Sequence, residues 1–469
     1  MIEMKIAQII DSTGAQLLRG GREARARGVS TDTRCLGGGE FFFALSGPNF
    51  DGNAFAHEAA RRGAVGLMLR GTASDVDELV RQIPEDVAVL VHEQPRRALS
   101  DLAAWHRERL AIPVIGVTGS CGKTTTKNIL IELLTLQRRV VGSPSSFNND
   151  IGVPHTLFLA DRRTEALVVE MGTNHPGEIA ALCRTARPTA GIITNVGASH
   201  LEGLRCVEGV ADEKGELARS LPNDGFCVLN ADCRWTPKLR SMTTARVISF
   251  SVDGEGDLDA SDVWFHSGGT TMVVEGREIT FPLLGLHNVQ NLLAALAACR
   301  GLGLALDDVL PAVSRLTGGR RRMERFDVGE MTLFDDTYNA NPESARASVR
   351  VLAGLHGYRR RVLVLGDMLE LGELSAELHH ELGMEAARGG VDFLVCVGEF
   401  TRATAAGALE GGLPEEQILH YPTVGAALDE VPGVLGAGDV VLIKGSRRVG
   451  LERLVERLLA GRAKAGGGA

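Results

Sequence analysis

Aromatic residues make up only 4% of this 469-residue chain, and lysine is scarce, accounting for seven of its 50 basic residues. No apolar run approaches the roughly 18 residues that a membrane helix needs, so no membrane insertion is expected. The start, Met1-Ile2-Glu3-Met4-Lys5, has no basic region leading into an apolar segment. No secretion signal is therefore expected, and the cytoplasm is the expected compartment. The eight cysteines never form a Cys-x-x-Cys pair. That argues against a structural zinc site or a disulfide framework and for reduced, mostly buried thiols. Positive charge is not in excess either, with 50 basic against 59 acidic residues and a net charge of −9. A nucleic-acid binder that neutralises phosphates would usually carry the opposite sign, so no nucleic-acid partner is expected. Repeats and low-complexity tracts are missing as well.

What remains is ordinary globular material, 44% hydrophobic and 23% charged. At roughly 150 residues per domain it is enough for about three domains. The stretch 1–110 mixes short apolar runs with turns. Its distinctive part is Ser30-Thr31-Asp32-Thr33-Arg34, then the apolar 41–45, then Asn49-Phe50-Asp51-Gly52: a polar loop, a strand and a polar loop. From 111 to 316 strands and helices alternate. Strands are expected at 113–117, 166–169, 190–194 and 226–229, a β-rich section at 245–284, and a long helix at 288–300. A basic, Gly-rich joint, Thr317-Gly318-Gly319-Arg320-Arg321-Arg322, opens a last segment, 317–469. There the alternation restarts, with strands near 331–335, 362–365, 392–397 and 439–443 and a final helix near 450–460. The tail 463–469 is expected to fray. Such alternation predicts an α/β fold with mostly parallel sheets covered on both faces, the last segment resembling a dinucleotide-binding fold.

The strand at 113–117 runs into Thr118-Gly119-Ser120-Cys121-Gly122-Lys123-Thr124. Glycines let backbone approach phosphate closely, the helix start aims N–H groups at it, Lys123 reaches the terminal phosphates, and the Thr124 hydroxyl ligates Mg²⁺. The full P-loop pattern is missed by one glycine, because Val117 stands in its place. Gly-x-x-Gly-Lys-Thr between a strand and a helix nonetheless points to a nucleoside triphosphate. No lysine is followed two residues later by aspartate, so the Asn-Lys-x-Asp signature of a guanine-specific switch is missing.

Glu170 and His200 follow neighbouring strands, whose C-terminal ends share one crevice with the phosphate loop in a parallel sheet. Glu170 suits Mg²⁺. His200 reads either as a hydrogen-bonded structural residue or as a less usual ligand, and its company favours the second. Lys214 lies in the charged run Ala211–Glu216 and by default is a solvated helix lysine; carbamylation by CO₂ would turn it into an anionic ligand. Asn288 and Asn291 share one face at a helix start, and capping explains only one of them. In Asp336-Thr337-Tyr338-Asn339-Ala340-Asn341-Pro342 the last two residues start a helix, which leaves Asp336, Tyr338 and Asn339 as ligand candidates. Lys444, in Lys444-Gly445-Ser446-Arg447, ends a strand in the same way.

Together with Glu170–Ile179, Ser146–Pro154 and Leu365–Gly372, these residues resemble the Mur ligases over nearly the whole chain, in order. The resemblance implies three domains: a small α/β UDP-substrate domain (1–110), a central P-loop ATPase domain (111–316) and a C-terminal Rossmann-like domain (317–469). It implies ATP-dependent amide-bond formation through an acyl phosphate, in cytoplasmic peptidoglycan precursor synthesis. The motifs fit best the member that joins D-alanyl-D-alanine to UDP-N-acetylmuramoyl-tripeptide, with a sister Mur-type or folylpolyglutamate-type ligase as the alternative. It also implies two Mg²⁺ ions on Thr124, Glu170, His200 and a carbamylated Lys214, with Lys123 at the phosphates. On the nucleotide it implies His287, Asn288, Asn291 and Asp336, together with one of the three joint arginines, Arg320, Arg321 or Arg322. Substrate contacts are implied for Asp32, Thr33, Arg34, Asp51, Asn148, Asn149, Tyr338, Asn339 and Lys444. A monomer is expected.

Overall fold

The computed structural model describes residues 2–47, 50–266 and 268–465. Asn49 and the tail residues 466–469 lie outside these, while 463–465 continue the final helix, Glu452–Ala465. Three large sheets of five, nine and six strands, with a two-stranded pair of Met4–Lys5 and Arg25–Ala26, organise the described residues.

The first sheet is built around Phe41–Phe43, buried and parallel to both Val29–Ser30 and Gly66–Arg70. Ala88–His92 continues it in parallel, and Gln16–Arg19 closes it antiparallel. The Thr31 hydroxyl meets His155 Nε2 at 3.0 Å and ties this sheet to the next.

In the nine-stranded sheet, Val114–Thr118 lies between Ala166–Glu170 and Ala190–Ile193. Their apolar and β-branched residues are buried throughout, as strands covered by helices on both faces must be. Pairing stays parallel from Val140–Gly142 across to Leu258–His266. Gly269–Val274 and Arg277–Phe281 then add an antiparallel end. Chain connections diverge on either side of Val114–Thr118, which makes the C-terminal edge there the expected ligand crevice. Helix Leu286–Gly301 is buried along most of its length. No single helix among the described residues is long and apolar enough to cross a membrane.

The six-stranded sheet runs Glu324–Val328, Met331–Asp336, Asp439–Lys444, Arg360–Gly366, Phe393–Val397, Ile418–Tyr421, parallel except for the first pair. Asp336 and Lys444 are register partners at the C-terminal ends of their strands. Asn341 caps helix Pro342–Ala353 by accepting from the Ser344 N–H, with Pro342 in the first turn. The C-terminal edges of the two large sheets thus meet across one cleft. All eight cysteines are free thiols, but only Cys183, Cys227, Cys299 and Cys396 are buried.

Candidate active site

The cleft between these edges encloses about 760 Å³. Its floor is the phosphate loop, where helix Lys123–Thr135 starts at Gly122 in the left-handed conformation (φ +82°). A Cβ on Gly122 would sit 2.3 Å from Asn291 Oδ1, and one on Gly119 1.9 Å from Thr194 Oγ1, so neither position has room for a side chain. The Cys121 N–H donates to Asn195 Oδ1 (3.0 Å), the Thr194 hydroxyl to the Cys121 carbonyl (2.6 Å) and Asn341 Nδ2 to the Ser120 carbonyl (3.1 Å). Thr118, beneath the loop, donates to the Met171 carbonyl. Lys123 Nζ donates to the Gly119 carbonyl at 2.6 Å. Burial lowers its pKa, while the Glu170 charge works in the opposite direction.

Glu170 is 1% exposed. Its Oε1 accepts from Asn148 Nδ2 at 2.9 Å, and its buried Oε2 has no hydrogen-bond partner. Lys127, a residue no motif singled out, stands 3.6 Å from Oε2 and donates to the Ser143 carbonyl at 2.8 Å. Asn149 lines the cleft, but its Oδ1 accepts from the Gly152 N–H at the start of helix Gly152–Leu159. His200 Nδ1 lies 2.7 Å from Glu370 Oε2, a carboxylate from the other sheet. Lys214 is 1% exposed and lies behind the cleft wall. Burial first, and repulsion by Lys123 second, push its pKa far below that of an ordinary lysine. The expectation of a solvated helix lysine therefore gives way to a buried amine. Among the described residues no three His, Cys, Asp or Glu side chains gather into a metal cage. Mg²⁺ needs none, because it commonly takes one or two carboxylates and completes its shell with phosphate and water. The Glu170 oxygen that accepts no hydrogen bond and the Thr124 hydroxyl suit such an ion.

From the facing sheet, Lys444 Nζ meets Asp336 Oδ2 at 2.6 Å and the Asn339 carbonyl at 3.2 Å, and Ser348 donates to the same Asp336 oxygen. Tyr338 donates to the Ser146 hydroxyl across the cleft. The joint arginine that lines the cleft is Arg322: its Nη2 donates to Thr124 Oγ1 (2.9 Å) and its guanidinium lies 4.0 Å over the Tyr338 ring. Arg320 is exposed and lies outside the cleft lining. Of the three joint arginines left open by the sequence, Arg322 is the one whose side chain lines the cleft. His287 also lines the cleft, and burial lowers its pKa to about 4. Asn288 donates to the Leu284 carbonyl. Asn291 accepts from Thr126 and donates to Asn288, so its amide braces the loop from beneath. Asp32, Thr33, Arg34 and Asp51 do not reach this cleft. Asp32 accepts from Arg34 through backbone and side chain, Thr33 is buried, and Asp51 accepts from Ser46.

Two family models cover most of this architecture: the Mur ligase middle domain matches residues 117–299, and the Mur ligase, glutamate ligase domain matches residues 321–447. The chain belongs to the Mur ligase family. Among relatives of this Mur ligase is a UDP-N-acetylmuramoyl-tripeptide–D-alanyl-D-alanine ligase of Bacillus subtilis (strain 168), 36% identical over 92% of this chain and 93% of its own. A ligase of the same name from Escherichia coli (strain K12) is 34% identical over 98% and 99%. The crystal structure of MurF from Acinetobacter baumannii superposes with a TM-score of 0.89 at 28% identity, over 98% of this chain and 99% of that one. MurF ligase from Thermotoga maritima in complex with ADP does so with 0.81 at 28%, over 94% and 99%.

Proposed function

We propose that this Mur ligase joins D-alanyl-D-alanine to UDP-N-acetylmuramoyl-tripeptide at the expense of ATP, giving the pentapeptide precursor, ADP and phosphate. The observation that carries the reading is the single cleft shared by a phosphate loop, a buried carboxylate oxygen that accepts no hydrogen bond, and the Asp336–Lys444 pair. Residues 111–316 bind ATP, 1–110 hold the UDP end through the Asp32–Arg34 and Asp51 loops, and 317–469 bring the amine. Both ATP and a UDP-linked peptide are cytoplasmic compounds, so the reaction belongs to precursor synthesis there.

A carboxylate does not condense with an amine in water at a useful rate. The tripeptide's terminal carboxylate oxygen first attacks the γ-phosphorus, ADP leaves, and an acyl phosphate forms. Lys123 and the loop N–H groups offset charge on the transferring phosphoryl group. The dipeptide amine then attacks the acyl carbon, and phosphate departs from the tetrahedral intermediate as the amine gives up a proton. His287 and Asn288 face the base, Asp336 the ribose, and Arg322 the phosphates. Tyr338, Asn339, Asn148 and Asn149 line the path of the peptide.

Thr124, Glu170 and His200 would hold Mg²⁺, and a carbamylated Lys214 would share a second ion. When bound, the ions supply positive charge to the phosphate oxygens and hold them in register. The buried, readily deprotonated Lys214 amine is suited to carbamylation: Nζ adds to the carbon of CO₂ and loses a proton to solvent, and the side chain then ends in an anionic carbamate.

The test is phosphate release from ATP with the UDP-tripeptide, with and without D-alanyl-D-alanine. Release that needs both, with a product heavier by the dipeptide, is expected. Release that ignores the dipeptide and responds to a free amino acid would point to a sister ligase instead.

A further inference from the structure

His200 and Glu370 come from different sheets, and each sits in the left-handed backbone region, with φ +53° and +66°. Non-glycine residues hold that conformation only where their surroundings over-determine it. The Glu370 loop meets that condition. Asp367 accepts from the N–H groups of Glu399 (2.7 Å) and Phe400 (3.1 Å), buried His379 takes the Met368 N–H on Nε2 (2.9 Å), and Ser446 Oγ takes the Leu369 N–H (2.9 Å). From the opposite sheet, the Glu202 N–H donates to the Glu370 carbonyl at 3.3 Å. Although its side chain is 44% exposed, the Glu370 carboxylate is aimed across the domain boundary at His200 Nδ1, 2.7 Å away.

An ionised carboxylate can only accept. The proton of a neutral His200 ring therefore sits on Nδ1, and Nε2 is left bare. We propose that Glu370 is a positioning residue that reaches from the C-terminal sheet to fix His200 in the tautomer whose Nε2 is open to the phosphate-bound metal. The inference rests on the ligase reading for the identity of that metal site, and it adds a condition: the central sheet's histidine is fully oriented only when the C-terminal domain is seated. Ser446 links this condition to the nucleotide side, because it lies two residues after Lys444, accepts from Leu369 and donates to the Ala340 carbonyl. Ser446 thereby ties the Glu370 loop to the strand end that carries Lys444.

The test uses full-length protein labelled with ¹⁵N-histidine, with and without Mg²⁺ and ADP, and a His200→Gln variant to assign the ring signal. Long-range ¹H–¹⁵N spectra should show His200 as the Nδ1–H form in the wild type. In Glu370→Ala it should move toward the Nε2–H form that solvated imidazole favours, and in Glu370→Gln, whose amide oxygen still accepts, it should stay. In parallel, the Mg²⁺ needed for half-maximal phosphate release should rise about 10- to 100-fold in E370A, the range found for lost partners of ligating histidines. KM for the UDP-tripeptide should be unchanged, and E370Q should recover most of the loss. An E370A protein with the wild-type tautomer and Mg²⁺ dependence overturns the proposal. So does an E370Q protein as impaired as E370A with its ring signal unmoved. The spectra need no peptide: a wild type that shows the Nδ1–H form yet ignores the dipeptide would remove the substrate reading and leave this one standing.

Discussion

On the wall supplied by the nine-stranded sheet, Glu170 keeps a buried oxygen without a hydrogen bond, and Lys214 is buried with its charged form disfavoured. On the facing wall Asp336 and Lys444 meet at 2.6 Å, and Ser348 and the Asn339 carbonyl complete their hydrogen bonding. The first wall keeps groups that stay short of hydrogen bonds, Glu170 being offset only by the charge of Lys127 3.6 Å away; the second is fully hydrogen-bonded already and must exchange partners when nucleotide arrives. Buried polar groups without partners are costly, so the two walls should respond to substitution in opposite ways.

The largest effect is expected at Lys214. Lys214→Ala should abolish ligation, and added short-chain carboxylates should restore part of it; near wild-type ligation by the variant would remove the carbamate role. Lys214→Met, which keeps the buried bulk and removes only an amine whose charged form is disfavoured, should leave the melting temperature unchanged or raised, which calorimetry can check. Next comes Lys123→Ala, for which phosphate release should slow by about 10²–10³-fold, the loss typical of one preorganised charge-stabilising group. Steady-state kinetics on a variant of native circular dichroism decides that point. The facing wall should behave differently. Asp336→Asn strands a buried ammonium and should cost about 3–5 kcal/mol of stability in urea unfolding. A loss below about 1 kcal/mol would mean that this wall, too, is built for its ligand and not for itself.

The smallest effect concerns pH. His287 titrates near 4 in the fold against 6.5 when unperturbed, because burial disfavours its cation. Its folded pKa is the lower one, so the unfolded chain takes up the proton first. The stability it contributes is complete above pH 6.5 and is lost as pH falls from there through about 4. Buried His379 shifts in the same direction and for the same leading reason. Melting temperatures between pH 7 and 4 should fall less steeply in His287→Gln than in the wild type.

The alternation in the two larger sheets was legible because parallel strands buried on both faces read as unbroken apolar runs: Val114–Thr118, Ala166–Glu170 and Asp439–Lys444 fall within a residue or two of expectation. The edge strands Glu324–Val328 and Ile418–Tyr421 were not, since half-exposed strands mix polar and apolar positions. In the first sheet only the all-phenylalanine strand stood out, its partner Val29–Ser30 being two residues long. Side-chain partners across the boundary were beyond sequence altogether. Nothing local says that Arg322 and not Arg320 turns inward, or that Glu370 faces His200. One signal was present in the composition itself: in a chain that writes arginine by default, four of seven lysines (123, 127, 214 and 444) converge on the cleft and its walls.

Lys127 gives that signal a further meaning. Its ammonium is a permanent tenant beside Glu170, anchored by the Ser143 carbonyl and 3.6 Å from the carboxylate oxygen that has no hydrogen bond. With a cation of its own always in residence, the carboxylate gains less from each visiting one. The protein can therefore idle between turnovers without a buried, uncompensated charge, and any cation bound beside that carboxylate would be held less tightly. Grip is given up for release, as suits a catalyst that must empty itself after every bond it makes.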